Sequence, residues 1–261
     1  MPPGPTVHVH AHGAPQDTAR RTRRIVHAFS RALGPAALKR MDRLDLVVDL
    51  VPSAKVLSDL PEWEWAKGKV WTDTRTDSGG EPDPGAEPSA ALDDPNRVAA
   101  ITSFYFDVVL PDGRVGYIAA GKESLEALAE RLESEVGAPL KFVERVAEYP
   151  RATASPGNLI HELGHVLWDT GLTTAQITTV TQLFESAARE RISEHAGANA
   201  MEYFAESVRA YLGYAIPQFS AARATPGWLQ QNDPKMFALL TGIFAPTRGV
   251  RPQRPTVMEL A

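Results

Sequence analysis

The chain has 261 residues, of which 43% are hydrophobic and 23% charged, so it is long enough and apolar enough to bury a core. Its formal net charge of −5 argues against nucleic acid or an anionic membrane surface as the main partner. Cysteine is absent, which excludes disulfides, cysteine zinc ligands and thiol catalysis.

The N-terminal region is predicted to be a tail followed by a helix, together residues 1–34. Residues 1–16 are rich in Pro, Gly and His and are expected to be disordered. The histidines at positions 8, 10 and 12 alternate along this tail and can hold a metal loosely. A solvated tail is the preferred interpretation, because nothing in the sequence pre-organises those side chains.

No apolar segment of a secretory signal follows the first residues, and no run reaches the length of about 18 apolar residues that indicates a membrane span. We therefore expect no membrane insertion. Secretion or delivery by a route without a cleaved signal is favoured, and a cytoplasmic location is the alternative. The sequence does not fix the oligomeric state, and we expect a monomer.

Two kinds of segment follow the first helix. Residues 72–97 are rich in Asp, Gly, Pro, Ser and Glu and are predicted to be a flexible loop. Strands are predicted at residues 44–51, 104–110, 114–119 and 140–146, and an amphipathic helix at residues 123–136.

The chain after residue 155 reads as helical. Helices are predicted around residues 158–168, 173–192, 199–214 and 233–244. Residues 246–261 are expected to be a C-terminal tail. The predicted fold class is α+β, with a small N-terminal α/β part containing a mixed sheet and then a helical catalytic part, all within one domain over residues 35–245.

The helix at residues 158–168 carries the pattern His-Glu-x-x-His. His161 and His165 are one helical turn apart, so both rings project from the same face and can hold one Zn²⁺. Glu162 lies beside them, where its carboxylate can take a proton from a metal-bound water. Apolar neighbours indicate that the helix is buried, and buried histidines need partners that a metal supplies. We therefore predict one catalytic zinc ion here.

A catalytic zinc needs a third protein ligand, which in a chain without cysteine is His, Asp or Glu. Glu202 and Glu206 are i and i+4 on a predicted helix whose other positions are largely apolar. We predict that Glu202 binds the metal and that Glu206 accepts a hydrogen bond from the second nitrogen of a ligand histidine. The competing interpretation makes Glu202 part of an N-cap with Asn199, and Glu206 a surface ion pair with Arg209.

The His-Glu-Leu-Gly-His helix and the later Glu-Tyr-Phe-Ala-Glu stretch resemble the zinc peptidases related to anthrax toxin lethal factor and the secreted Pro-Pro endopeptidases. The segment from Leu50-Val51-Pro52-Ser53 to Lys67-Gly68-Lys69 is similar to the start of that domain. The resemblance implies a zincin-like metallopeptidase fold over roughly residues 40–245. It also implies the ligands His161, His165 and Glu202, the catalytic base Glu162 and the bracing residue Glu206.

One position departs from the family pattern. The family has a tyrosine seven residues before the ligand glutamate, where it donates to the developing oxyanion, and this sequence has His195 there. An imidazole N–H can take the same role, so His195 is a candidate catalytic residue, and a plain loop residue is the equal alternative. Tyr203, Tyr211 and Tyr214 are the other candidate donors.

The predicted function is that of a zinc-dependent endopeptidase, which hydrolyses peptide bonds in a protein substrate. A secreted or toxin-type protease is the expected kind of endopeptidase. The substrate is expected to lie along an edge strand, either residues 140–146 or residues 115–119. A di-iron carboxylate protein needs a second Glu-x-x-His, which this chain lacks, and a peptide deformylase needs a cysteine ligand. A catalytically impaired zincin-fold binding module remains the open alternative.

Overall fold

The computed structural model describes residues 4–52, 54–71, 90–92, 94, 99–103, 105–110, 115–119, 124–149, 156–186, 192–214 and 223–245. Most of the predicted loop at 72–97 and all of the predicted tail at 246–261 lie outside these residues. The described part is a mixed α+β structure, as predicted, in which a mixed sheet precedes a mostly helical second half.

Eight strands are present in the described residues. They are β1 (Thr6–His10), β2 (Leu44–Leu50), β3 (Val70–Trp71), β4 (Ala90–Ala91), β5 (Ala100–Thr102), β6 (Tyr105–Val109), β7 (Val115–Ala119) and β8 (Lys141–Glu148). The main sheet has the order β1-β2-β8-β6-β7, and β5 also pairs with β8. The strands β3 and β4 form a separate antiparallel pair.

Strand β2 lies inside the sheet between two parallel neighbours, β1 and β8. Its sequence is Leu-Asp-Leu-Val-Val-Asp-Leu, and six of its seven residues are buried. A nearly continuous apolar run is expected for a parallel strand that is covered on both faces. The predicted strand at residues 44–51 is therefore confirmed.

Strand β8 is also interior. One side of it pairs with β2, and the other side pairs antiparallel with β5 near its C-terminal end and with β6 near its N-terminal end. The prediction that residues 140–146 could be an edge strand open to a substrate was wrong, because both sides of the backbone are already hydrogen-bonded. Strand β5 has no partner on its other side among the described strands.

The N-terminal segment is ordered where disorder was predicted. Strand β1 runs parallel to β2, with Thr6 opposite Asp45 and His10 opposite Asp49. Val9 is buried against the core, whereas the alternate residues are exposed or half-buried. For residues 4–16 the prediction of a disordered tail was wrong, because strand β1 depends on pairing with β2, which begins 38 residues later and which local composition does not reveal.

Eight helices are described: α1 (Gln16–Ala32), α2 (Pro35–Arg40), α3 (Leu125–Val136), α4 (Pro156–Val166), α5 (Thr174–Ser186), α6 (Ala200–Tyr211), α7 (Pro226–Asn232) and α8 (Pro234–Ile243). A π-helical turn, Leu167–Gly171, continues α4, and a 3₁₀ turn, His195–Gly197, precedes α6. The predicted helices α1, α3, α4, α6 and α8 are confirmed with small shifts at their ends, and α5 is confirmed up to Ser186, while residues 187–191 of that prediction lie outside the described residues. The short helices α2 and α7 were not predicted. None of the described helices is long and apolar enough to cross a lipid bilayer.

The two faces of the sheet are covered differently. The larger core packs α1, α4 and the later helices on one face, around residues such as Val48, Phe142 and Leu163. The other face carries two 3₁₀ turns, Leu57–Asp59 and Pro61–Ala66, which with neighbouring residues enclose a smaller core. The candidate metal ligands of α4 and α6 lie among the helices that form the larger core.

Candidate metal centre

Helix α4 carries His161 and His165 in its last two turns. The apolar residues around them, among them Leu159 and Leu163, are fully buried, so the helix is fixed against the sheet and the rings have little freedom. Both histidines are themselves buried, and their Nε2 atoms lie 3.1 Å apart. The i, i+4 spacing thus brings the two imidazoles together as predicted.

Helix α6 supplies the third side chain. The Oε2 atom of Glu202 lies 3.0 Å from His161 Nε2 and 3.4 Å from His165 Nε2. Bonds of 2.0–2.1 Å in a tetrahedral zinc complex separate neighbouring ligand atoms by about 3.3 Å. The three side chains therefore have the spacing of three corners of such a complex. They form one of the two groups of metal-ligand type found among the described residues.

The carboxylate of Glu202 is held in its ionised form. Burial opposes ionisation, but the charge of His165 and hydrogen bonds from the surrounding histidines outweigh burial and keep the pKa of Glu202 well below its ordinary value. Asn199 caps α6 by accepting from the backbone N–H groups of Met201 and Glu202. The competing interpretation of Glu202 as part of an N-cap is thus true of the backbone, while its side chain turns to the histidines.

Glu206 braces His161 from the following turn of α6. Its Oε1 lies 2.8 Å from Nδ1 of His161, while its Oε2 accepts from Ser193 Oγ at 2.7 Å and pairs with Arg209. The ion pair with Arg209, which the competing interpretation placed at the surface, is buried. Burial of Glu206 is outweighed by His161 and Arg209, which lower its pKa to about 2.

The same two glutamates determine the protonation of His161 in the metal-free protein. Burial disfavours its cation, but hydrogen bonds and charges from Glu202 and Glu206 raise the pKa of His161 to about 10. A metal ion takes only a deprotonated nitrogen, so binding at His161 releases a proton. The Nδ1 contact with Glu206 leaves Nε2 as the nitrogen that faces the metal position.

His195 joins this group from the 3₁₀ turn before α6. Its Nε2 lies 2.8 Å from Glu202 Oε2, and its ring centroid lies 5.3 Å from that of His161. Burial lowers the pKa of His195, but the hydrogen bond and charge of Glu202 act more strongly together and raise it. The structure thus brings the predicted residue to the edge of the site, in contact with the third carboxylate.

Two of the alternative oxyanion donors are occupied elsewhere. The hydroxyl of Tyr203 donates to Asp233, and the ring packs on Phe184. Tyr211 stacks on Phe244. Both residues therefore serve the packing of α6 against the C-terminal helices.

Glu162 is oriented by a residue that the sequence did not indicate. Thr102, in β5, donates its hydroxyl to Glu162 Oε2 at 2.8 Å and also lies 3.1 Å from the Glu162 backbone oxygen. Glu162 is half-buried, unlike the two histidines beside it. Strand β5 therefore passes beside the central helix, α4, and fixes the carboxylate of Glu162 next to the candidate metal ligands.

Comparisons with protein-family models, with curated proteins and with solved structures found no match for this chain.

A close helix crossing sets the positions of these side chains. A Cβ atom on Gly164 would lie 2.8 Å from Ala205 Cα and 3.1 Å from Ala205 Cβ. Only glycine allows α4 and α6 to approach so closely, and Ala205 lies between Glu202 and Glu206. The glycine of the His-Glu-Leu-Gly-His stretch thus sets how near the glutamates come to the histidines.

A buried carboxyl pair lies behind His165. Glu144 of β8 is fully buried, and Asp169 lies in the π-helical turn. Burial and the neighbouring Asp169 raise the pKa of Glu144 well above its ordinary value. Burial raises the pKa of Asp169 to about 7, although the charge of His165 and a hydrogen bond with Glu144 act against it. Neither residue was predicted from the sequence, because the pair forms only when the sheet and the helix pack.

Proposed function

We propose that this protein is a zinc-dependent endopeptidase with a zincin-like fold. The observation that carries the proposal is the convergence of His161 Nε2, His165 Nε2 and Glu202 Oε2 at separations of 3.0–3.4 Å. Nitrogen and oxygen donors at this spacing suit Zn²⁺, and three protein ligands leave a position for water, which is the composition of a catalytic rather than a structural site.

A Zn²⁺ ion held by His161, His165 and Glu202 would supply Lewis-acid chemistry: it would lower the pKa of a bound water and polarise the carbonyl of a peptide bond. Glu162 would act as the general base beside that position, taking a proton from the attacking water and returning it to the leaving amine nitrogen. The hydrogen bond from Thr102 holds one oxygen of Glu162, so the carboxylate needs little reorientation before reaction.

His195 supports the same reaction from the edge of the site. An imidazole N–H of His195 can donate a hydrogen bond to the oxyanion that develops at the carbonyl, since the ring lies beside Glu202 at the edge of the site. Glu206 keeps His161 in the tautomer that presents Nε2 to the metal. His161 and Glu206 lie on the packed helices α4 and α6, and His195 lies in the 3₁₀ turn that leads into α6.

Strand β5 is the candidate surface for the substrate backbone. It adjoins the central helix through Thr102, and its outer side is unpaired among the described strands. An extended peptide can add to such an edge through main-chain hydrogen bonds, which places its carbonyl groups near Glu162. This strand replaces residues 140–146 as the expected substrate strand.

The test is cleavage of a peptide library and of a denatured protein, with and without a chelator. We expect Glu162→Gln to retain zinc and to lower the cleavage rate by at least about 10²-fold, because the general base is lost. Glu202→Ala is expected to lose zinc. Glu185→Gln, which changes an exposed glutamate of α5, is the matched control and should cleave normally.

Full activity of Glu162→Gln would overturn the mechanism, and undiminished zinc affinity of Glu202→Ala would move the third ligand elsewhere. A protein that binds zinc and peptides without turnover would instead be the catalytically impaired binding module. The observation behind this second function is that His195 stands where the resembled family has a tyrosine. The same peptide library identifies the sequence at which the protein cleaves, as needed to find the substrate of a secreted or toxin-type protease.

A further inference from the structure

The second group of metal-ligand type lies in the sheet and shares no residue with the centre on α4 and α6. Its members are His10, His12 and Asp49, whose donor atoms all lie within 4.8 Å of one another. His10 and Asp49 are register partners on the parallel strands β1 and β2, and His12 follows two residues after β1. We propose that these three side chains bind a second divalent transition-metal ion, with Zn²⁺ as the metal that fits best.

The buried carboxylate of Asp49 divides its two oxygens between support and binding. Its Oδ2 accepts from the indole N–H of Trp63 at 2.9 Å and lies 3.6 Å from Arg145 Nη1. Its Oδ1 faces His12 Nε2 at 2.8 Å and His10 Nδ1 at 3.4 Å. One oxygen is thus fixed by the protein while the other is directed at two imidazole nitrogens. Hydrogen bonding of this kind is how ligand carboxylates are oriented in metal sites.

The backbone at His12 supports the same interpretation. Its φ of 45° is the only positive value among non-glycine residues of the described chain. Such a conformation costs on the order of 1 kcal/mol and persists where the surroundings require it. Here it turns the chain after β1 so that the ring of His12 comes back over Asp49.

The donor set selects the metal. Two imidazoles and one carboxylate suit zinc and the neighbouring transition metals, whereas Ca²⁺ and Mg²⁺ prefer oxygen donors. Separations of 2.8 and 3.4 Å to the carboxylate oxygen are close to the ligand spacing of a tetrahedral zinc complex, which is about 3.3 Å. The ring of His10 is about half exposed, so it can adjust, and water can complete the coordination.

A metal at this position would join three parts of the molecule. It would fix β1 to β2 through His10 and Asp49, and it would fix the turn into α1 through His12. The 3₁₀ turn Pro61–Ala66 also depends on the Asp49 carboxylate, because its Trp63 donates a hydrogen bond to it. The second ion would therefore stabilise the junction of β1, β2 and the turn into α1, and it lies apart from the α4–α6 centre.

The test is zinc stoichiometry, measured by elemental analysis of the full chain after chelation, zinc titration and dialysis, without a polyhistidine tag. We expect two equivalents for the wild type and one for His10→Ala. The matched control is His8→Ala, which removes an exposed histidine of the same strand that is not in the group, and it should retain two equivalents. Circular dichroism checks that each variant is folded.

A second set of variants, built on Glu202→Gln, distinguishes a failure of the second metal site from a failure of the proposed function. Glu202→Gln should lose the equivalent at the α4–α6 centre and keep the one that His10→Ala removes, and the double variant should bind none. Added zinc at about 100 times the dissociation constant should raise the melting temperature of Glu202→Gln by about 5 °C and leave that of the double variant unchanged.

Equal stoichiometry in His10→Ala and the wild type would overturn the second site and leave Asp49 as a hydrogen-bond acceptor only. Loss of zinc by His8→Ala as well would overturn the assignment of ligands. A wild type with one equivalent that Glu202→Gln removes would support the catalytic centre alone.

Discussion

Glu206 connects several parts of the α4–α6 centre, because its two oxygens contact His161, Ser193 and Arg209 at once. A neutral side chain in its place would keep the volume and lose the charge that favours protonation of His161 Nδ1. The position and tautomer of His161, a proposed metal ligand, therefore depend on a residue outside the proposed ligand set.

Glu206→Gln is predicted to weaken zinc binding about 10- to 100-fold, as expected when a ligand histidine loses the carboxylate that orients it. Competition with a chromophoric chelator measures the affinity. Glu185→Gln provides the exposed comparison and should bind zinc like the wild type. An unchanged affinity of Glu206→Gln would mean that Ser193 and Arg209 alone position this part of the site.

At the residue scale the sequence predicted the residues that come together at the candidate metal centre and missed the residues that support them. His161, Glu162 and His165 are visible in one short pattern, and Glu202 and Glu206 follow from helical spacing. Thr102 and Ser193 are ordinary polar residues in sequence, and they meet Glu162 and Glu206 only after the sheet and helices pack. No local signal marks such contacts, because the partners are distant in the chain.

At the scale of elements, the crossing of α4 and α6 sets the distance between the glutamates of α6 and the histidines of α4. Gly164 lets the two helix backbones approach, and the Glu202 and Glu206 side chains extend from the same contact region. A larger residue at position 164 must push α6 away, since the nearest atom is backbone rather than a flexible side chain.

Gly164→Ala is predicted to lower the free energy of unfolding by about 1–3 kcal/mol and to weaken zinc binding, because the shift of α6 withdraws Glu202. Gly242→Ala is the matched control: it changes an exposed glycine of α8 with nothing within 4 Å of the added carbon. That control should be neutral or slightly stabilising. Wild-type affinity and stability in Gly164→Ala would show that α6 is not held by this contact.

The strands illustrate why sequence patterns predicted some elements and not others. The apolar run of β2 and the amphipathic stripe of α3 are local signals, and both were predicted. Strand β5 has three residues and β1 lies in a segment rich in Pro, Gly and His, so neither has enough local pattern. Both exist because they pair with β8 or β2, whose positions depend on the whole sheet.

At the scale of the whole molecule, the packing of helices on the sheet buries two carboxyl groups together. Glu144 and Asp169 both have raised pKa values, with burial as the first cause. The folded protein therefore keeps protons that the unfolded chain loses as pH rises through about 4. This pair contributes a loss of stability that grows with rising pH, through about 7 for Asp169.

Glu144→Gln is predicted to reduce that loss, because only one carboxyl group remains in the buried space. In chelator, the difference in unfolding free energy between the variant and the wild type should increase in favour of the variant between pH 5 and pH 8. Urea unfolding at the two pH values measures it. Glu130→Gln, at an exposed position of α3, should follow the wild type. Equal pH dependence in all three proteins would contradict the prediction.

The interior position of β8 has a consequence for synthesis of the protein. Strand β2 leaves the ribosome long before β8, since residues 51–140 separate them, yet β8 provides the partner for one whole side of β2. Until then the nascent chain presents an apolar strand with an unpaired edge, which is the kind of surface that associates with other chains. We expect the nascent protein to depend on chaperones during that interval and to acquire its sheet only when β8 has emerged.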